Sequence, residues 1–182
     1  MAESKDNEPY VSSSPVWIIM GSDSDLRIMS EAAKILESFA VGFEMSIASA
    51  HRSTDYVLEQ TRSAVERGVR VIIAGAGLAA HLPGVIAAAT PLPVIGIPLQ
   101  SGALAGQDAL YSIVQMPPGI PVATVGIGAA QNAALLALRI LGCYDVVIRD
   151  DLVKYSQKMR DAVLDKNAKL ASIGFRQYLE GM

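Results

Sequence analysis

Five short runs rich in β-branched residues, each followed by a Gly-, Ser- or Asp-rich turn and a helix-length segment, constrain this chain more than any other feature. The runs are Val16 to Met20, Phe43 to Ser49, Val69 to Ala74, Pro93 to Pro98 and Ile120 to Gly126. Apolar residues three and four apart predict helices over Asp25 to Ala40, Ser53 to Arg67, Leu82 to Ala89, Gln107 to Met116 and Ala129 to Leu141. Strands that alternate with helices pair in parallel through right-handed crossovers, and runs such as VIIA and VIGI need cover on both faces.

The expectation is therefore an α/β three-layer sandwich around a doubly wound parallel sheet, in the flavodoxin-like order 2-1-3-4-5. The first two helices are amphipathic, with Leu26, Met29, Ala33 and Leu36 on one stripe of the first, whereas the later ones are apolar all round and call for burial on more than one side. Charge is distributed to match: residues 71–148 carry only Asp108, Arg139 and Asp145, while residues 149–170 carry ten charged side chains. A domain of 182 residues leaves roughly 8,000 Å² accessible, so a stretch this bare cannot all be interior. Part of it is expected to face copies of the same chain.

The charged segment from Arg149 to Leu170 reads as an extra C-terminal helix whose stripe of Leu152, Tyr155, Met159 and Val163 is too narrow for a core helix and suits a neighbouring subunit. Residues 1–14 are polar and aperiodic and read as a mobile tail. The division is thus a tail over 1–14, one α/β catalytic domain over 15–148 and a helical extension over 149–182.

No apolar stretch reaches the 18 or so residues of a membrane span, and no basic region precedes an apolar one at the start. A net charge of -3 without a Lys/Arg cluster gives no footprint for nucleic acid or an anionic membrane. The single cysteine, Cys143, forms no internal disulfide and suits a reducing compartment, so a soluble cytoplasmic protein is expected.

In open α/β sheets the ligand site lies beyond the carboxyl ends of the strands, where the strand order reverses. Those loops are Gly21-Ser-Asp-Ser-Asp25, Ser49-Ala-His-Arg52 and Gly75-Ala-Gly-Leu-Ala-Ala-His81, and they hold both histidines of the chain. Ser22, Ser24 and the free amides opening the first helix suit an anion, although Ser or Asp there is equally an N-cap. Asp25 suits sugar hydroxyls, and Arg52 offers bidentate donors to a phosphate unless it is merely exposed. Two histidines at one sheet edge make His51 the candidate acid/base over a structural reading.

The glycines at 75 and 77 loosely match a dinucleotide fingerprint, but they follow the third strand, and no acid near position 95 is available for a ribose. Small residues there instead let backbone approach a ligand. A Walker lysine, a zinc-spaced cluster and a Gly-X-Ser-X-Gly elbow are all missing, which disfavours ATP, metal and acyl-enzyme chemistry. What remains is a phosphorylated small molecule, with His51 moving a proton.

Four segments, Met20-Gly-Ser-Asp-Ser-Asp25, Ser49-Ala-His-Arg52, Ala74-Gly-Ala-Gly-Leu-Ala-Ala-His-Leu-Pro-Gly84 and Tyr111-Ser-Ile-Val-Gln-Met-Pro-Pro-Gly-Ile-Pro-Val122, resemble the class I N5-carboxyaminoimidazole ribonucleotide (N5-CAIR) mutases of purine biosynthesis. The resemblance runs from about Val16 to Leu141. It implies conversion of N5-CAIR to 4-carboxyaminoimidazole ribonucleotide (CAIR) without ATP, metal or organic cofactor, by a cytoplasmic homo-octamer with sites near subunit contacts. It further implies Ser22 and Arg52 on the 5'-phosphate, Asp25 on the ribose and His51 as general acid/base. Ser24, Ser49, Gly75, Ala76, Gly77, His81 and Leu82 complete the expected binding set, with His81 orienting substrate or His51.

Two departures stand out. Leu78 replaces a usual Gly, and the segment after Gly128 lacks a common Lys-Ala-Gly form. The alternatives are a class II relative that carboxylates aminoimidazole ribonucleotide (AIR) with CO2, which typically reads Ser-Ala-His-Lys and Ala-Gly-Arg-Ser-Asn, and a non-catalytic nucleotide-binding assembly protein.

Overall fold

The computed structural model describes residues 14–182. The expected N-terminal tail therefore lies, apart from Ser14, outside the described residues. Strands β1 (Val16–Met20), β2 (Phe43–Ile47), β3 (Val71–Gly77), β4 (Val94–Leu99) and β5 (Ala123–Thr124) form one parallel sheet in the order β2-β1-β3-β4-β5, as the pattern predicts. Helices α1 (Leu26–Ser38), α2 (Thr54–Ser63), α3 (Leu82–Ala87), α4 (Gln107–Val114), α5 (Ala130–Leu141) and α6 (Val146–Glu180) follow the strands.

Side-chain alternation along the strands divides the core in two. Val16, Ile18 and Met20 of β1, with Ile73, Ile95 and Ile97, pack against Met29 and Leu36 of α1 and Leu138 of α5. On the other face Trp17, Ile19, Ile72 and Ala74 pack against Val57 of α2, Ile86 of α3 and Ile113 of α4. The central strands are thus buried on both sides, which is why they read as continuous apolar runs. Among the described residues no helix is long and apolar enough to cross a membrane.

Three boundaries differ from expectation for physical reasons. Strand β3 does not stop at Ala74: Gly75, Ala76 and Gly77 continue the ladder, opposite Ile97, Pro98 and Leu99 of β4. Strand β5 shrinks to Ala123–Thr124, because Pro117, Pro118 and Pro121 remove donors just upstream of an edge strand. The last helix starts before Arg149 and runs past Leu170, since the Asp145 carboxylate caps it by accepting from Val147 N and Ile148 N. Its one break is Gly174, at φ 74° and ψ 162°.

Helix α6 buries none of its residues fully. Its first turns rest on the core edge through Ile148 and Leu152, and Tyr155 meets the Phe39 ring at 5.6 Å. Beyond that, Met159, Val163, Leu164 and Leu170 are exposed. Helix α4, expected to be covered all round, buries Ala109 and Ile113 but leaves Tyr111 and Val114 open.

Candidate active site

Helices α1 and α5 cover one face of the sheet and α2, α3 and α4 the other, so the chain reverses direction between β1 and β3. The loops after β2 and β3 lean toward each other over the carboxyl end of β1, and a cavity of about 520 Å³ opens there. Its wall includes Ser22, Ser24, Asp25, Ser49, His51, Arg52, Ala76, Gly77, His81 and Leu82, all but one of the expected site residues.

The exception is Gly75. It lies inside the ladder beside Met20, and a Cβ on it would sit 2.3 Å from Met29 Sδ and 3.2 Å from Leu99 Cδ1. Its smallness serves helix-to-sheet packing rather than the cavity wall. Gly21, Ala50, Leu78 and Ala79, which belong to the expected strand-end loops, also line the cavity, and Ser101 was missed. Ser101 follows β4, so the rule that singled out the other strand ends would have found it.

In the first loop, Ser22 is an N-cap. Its Oγ accepts from Ser24 N at 3.3 Å, and Asp25 Oδ2 accepts from Ser22 N at 3.0 Å, a reciprocal capping box around the turn Asp23–Asp25. The Ser24 hydroxyl donates to Ser22 Oγ and that of Ser22 to Asp23 Oδ1, both at 3.0 Å. These hydroxyls are exposed donors that an arriving anion can take over. Burial raises the Asp25 carboxyl above its ordinary 3.8, against hydrogen bonds from Ser22 and Ser24 that pull it down and with the Asp23 charge adding to the rise.

The second loop is organised by Ser49, whose Oγ accepts from Arg52 N at 3.3 Å and from His51 N at 3.4 Å. The Arg52 guanidinium reaches back over β1, donating from Nη2 to Gly21 O at 3.2 Å. It therefore spans the first two loops at the rim where Ser22 and Ser24 present their hydroxyls.

The two histidines, thirty residues apart, meet at the cavity: His51 Nε2 lies 2.8 Å from His81 Nδ1, with the rings edge to face at 79°. At that distance the N–H of one ring donates to the bare nitrogen of the other, so the tautomers of the two rings are matched. Leu78 adopts φ 53°, the left-handed region that disfavours a side chain, which accounts for the Gly expected there. The main chain is held in that shape nonetheless, and the Leu78 side chain lies against Gly102 of the next loop.

Residues 15–162 match the family model described as AIR carboxylase. The chain is 59% identical over 166 residues to the N5-carboxyaminoimidazole ribonucleotide mutase of Pyrococcus abyssi, covering 91% of this chain and 95% of that one. It is 55% identical over 165 residues to the protein of the same name from Synechocystis, covering 91% and 94%. The crystal structure of Treponema denticola PurE superposes with a TM-score of 0.78 at 32% identity, over 85% of this chain and 97% of that one. On sequence, fold and the placement of its strand-end loops, this chain belongs to the AIR carboxylase family.

Proposed function

We propose that the chain is an N5-CAIR mutase, an isomerase of purine biosynthesis that moves carboxylate from the exocyclic nitrogen of N5-CAIR to C4 of the imidazole. The observation that carries this reading is identity above one half, across nine-tenths of the chain, to relatives bearing that name. The cavity suits the chemistry. Arg52 with the Ser22 and Ser24 hydroxyls offers converging donors to a 5'-phosphate, and the Asp25 carboxylate accepts from ribose hydroxyls. Ser49 holds the Arg52 loop, Gly77 and Ala76 let the ring approach the sheet edge, and Leu82 closes the floor beside His81.

His51 then acts twice. As acid it protonates the nitrogen while the N–C bond to the carboxylate breaks, giving AIR and CO2. C4 attacks the retained CO2 to form the C–C bond, and His51, now a base, removes the C4 proton and so regains the one it gave. Retention of CO2 needs a pocket that excludes water, and the apolar wall of Ala76, Leu78, Ala79 and Leu82 serves that end. His81, at 2.8 Å from His51, orients the ring and fixes which of its nitrogens carries the proton.

The same reading includes a cytoplasmic homo-octamer. The exposed Tyr111 and Val114 of α4 and the open stripe of α6 are the surfaces it assigns to subunit contacts, with residues 15–148 as the catalytic domain and 149–182 as an extension packed on a neighbour. Purified protein supplied with N5-CAIR should form CAIR without ATP. Exclusive use of AIR plus bicarbonate would assign it instead to the carboxylating class, and no turnover of either would leave an assembly protein. Light scattering should give the mass of eight chains; a monomer near 19.2 kDa would refute the assembly.

A further inference from the structure

A second cavity, of about 530 Å³, lies in the crease between the end of α5 and the first turns of α6. Its volume falls within the roughly 300–1,000 Å³ of small-molecule sites. Helices in a parallel α/β sheet run opposite to the strands, so the end of α5 lies at the amino edge of the sheet, away from the His51 cavity by about the length of a strand, some 17–20 Å.

Three guanidiniums rim this crease: Arg139 from α5, and Arg149 and Arg160 from α6. None of the three has a hydrogen-bond or ion-pair partner for its side chain among the described residues. Arg149 and Arg160 are eleven residues apart, close to three full turns, so they share a face about 16 Å apart along the axis. Leu152 and Val153 lie between them as an apolar floor, with Ser156 and Gln157 supplying polar edges, on a face of α6 turned about 90° from the stripe of Tyr155, Met159 and Val163 assigned to a neighbour. The acids nearby do not neutralise the rim. Asp145 caps α6, Asp151 pairs with Lys154 at 2.8 Å, and Asp150 and Asp161 each follow an arginine by one residue and so point about 100° round the helix.

We propose that this crease binds a nucleoside phosphate, with the phosphate on the arginine rim and the heterocycle on Leu152 and Val153. Unpaired guanidiniums are bidentate phosphate donors, and an apolar floor with a hydroxyl and an amide beside it selects a flat, partly polar ring over a bare anion. Such a ligand lies too far from His51 of the same chain to be its substrate, so the site is a second one on this chain, separate from its substrate cavity.

The chain supplies its own probe, because Cys143, its single cysteine, lines the crease and is exposed. Alkylation of Cys143 by iodoacetamide in the intact assembly is measured with AMP as the nucleotide, and inorganic phosphate as the control. At ten times its Kd, AMP should slow alkylation by about tenfold through simple occupancy, and phosphate at the same concentration should not. Arg52→Ala, which impairs only the substrate cavity, should leave the protection intact. Arg149→Ala with Arg160→Ala should raise the AMP concentration required by about tenfold or more while turnover of N5-CAIR stays at the parent value. Protection equal with inorganic phosphate, protection that Arg52→Ala abolishes, or no protection at all would overturn the proposal. So would a Cys143 that is unreactive before any nucleotide is added, since another copy of the chain would then occupy the crease.

Discussion

Replacing Gly75 by Ala separates packing from ligand contact at the heart of the site. The new Cβ would lie 2.3 Å from Met29 Sδ, 2.9 Å from Met29 Cε and 3.2 Å from Leu99 Cδ1. Met29 and Leu99 are 0% and 1% exposed, so neither side chain can withdraw into solvent, and the thioether must move by more than an ångström inside a filled core. Overpacking of this kind costs about 1–3 kcal/mol. At about 2–4 °C per kcal/mol for a chain of this length, the thermal midpoint should fall by roughly 2–12 °C at matched protein concentration.

The companion variant Met29→Ala makes a cavity and costs about 2–5 kcal/mol by itself. Combined with Gly75→Ala, the added methyl enters vacated space, so the double variant should be more stable than the sum of the two losses by about 1–3 kcal/mol. Urea unfolding of the four proteins supplies the cycle, and steady-state kinetics supplies KM. An unchanged midpoint together with a raised KM would refute the argument, for it would put Gly75 at the ligand rather than under α1.

Other expectations follow from the same geometry. Arg52→Ala removes a charged donor at the cavity rim and should weaken substrate binding by about 1.5–3 kcal/mol, read as a 10- to 150-fold rise in KM; an unchanged KM would remove Arg52 from the phosphate. Leu78→Val places a β-branched residue at φ 53° and should destabilise by more than about 1 kcal/mol, whereas Leu78→Gly relieves strain and should stay within about 1 kcal/mol of the parent in urea unfolding. For Asp25, a folded-state pKa above the unfolded value means the native state holds the extra proton, so its contribution to stability is present below 3.8 and is lost as pH rises through the raised value. Asp25→Asn should therefore gain stability over the parent at pH 7 relative to pH 3.5, while losing activity; a gain confined to low pH would contradict that sign.

Much of this was legible in the sequence because periodicity alone orders the elements. Residues such as Ile72, Ile73, Ile95 and Ile97 mark strands covered on both faces, and the rule that sites lie at strand ends brought His51 and His81 to one edge. Contact at 2.8 Å was not legible, because the two residues follow strands that flank β1 without pairing with each other. Gly75 was misplaced because a glycine in a GAG run looks the same whether it opens a loop or makes room for Met29. The start of α6 was missed because Asp145 was counted as one of the few charges of an apolar stretch and not as a cap. That nearly bare stretch divides into β3 and β4, the cavity wall from Ala76 to Leu82, the buried face of α5 and the open face of α4.

The proposed reaction needs His51 as the group that gives and takes the proton. His51→Asn keeps a polar side chain at the cavity but cannot carry a proton near neutral pH. Isothermal titration with CAIR and a turnover assay on that variant, run side by side, test the claim directly. A Kd close to that of the parent, with conversion of N5-CAIR abolished, is expected. Conversion at the parent rate would contradict it.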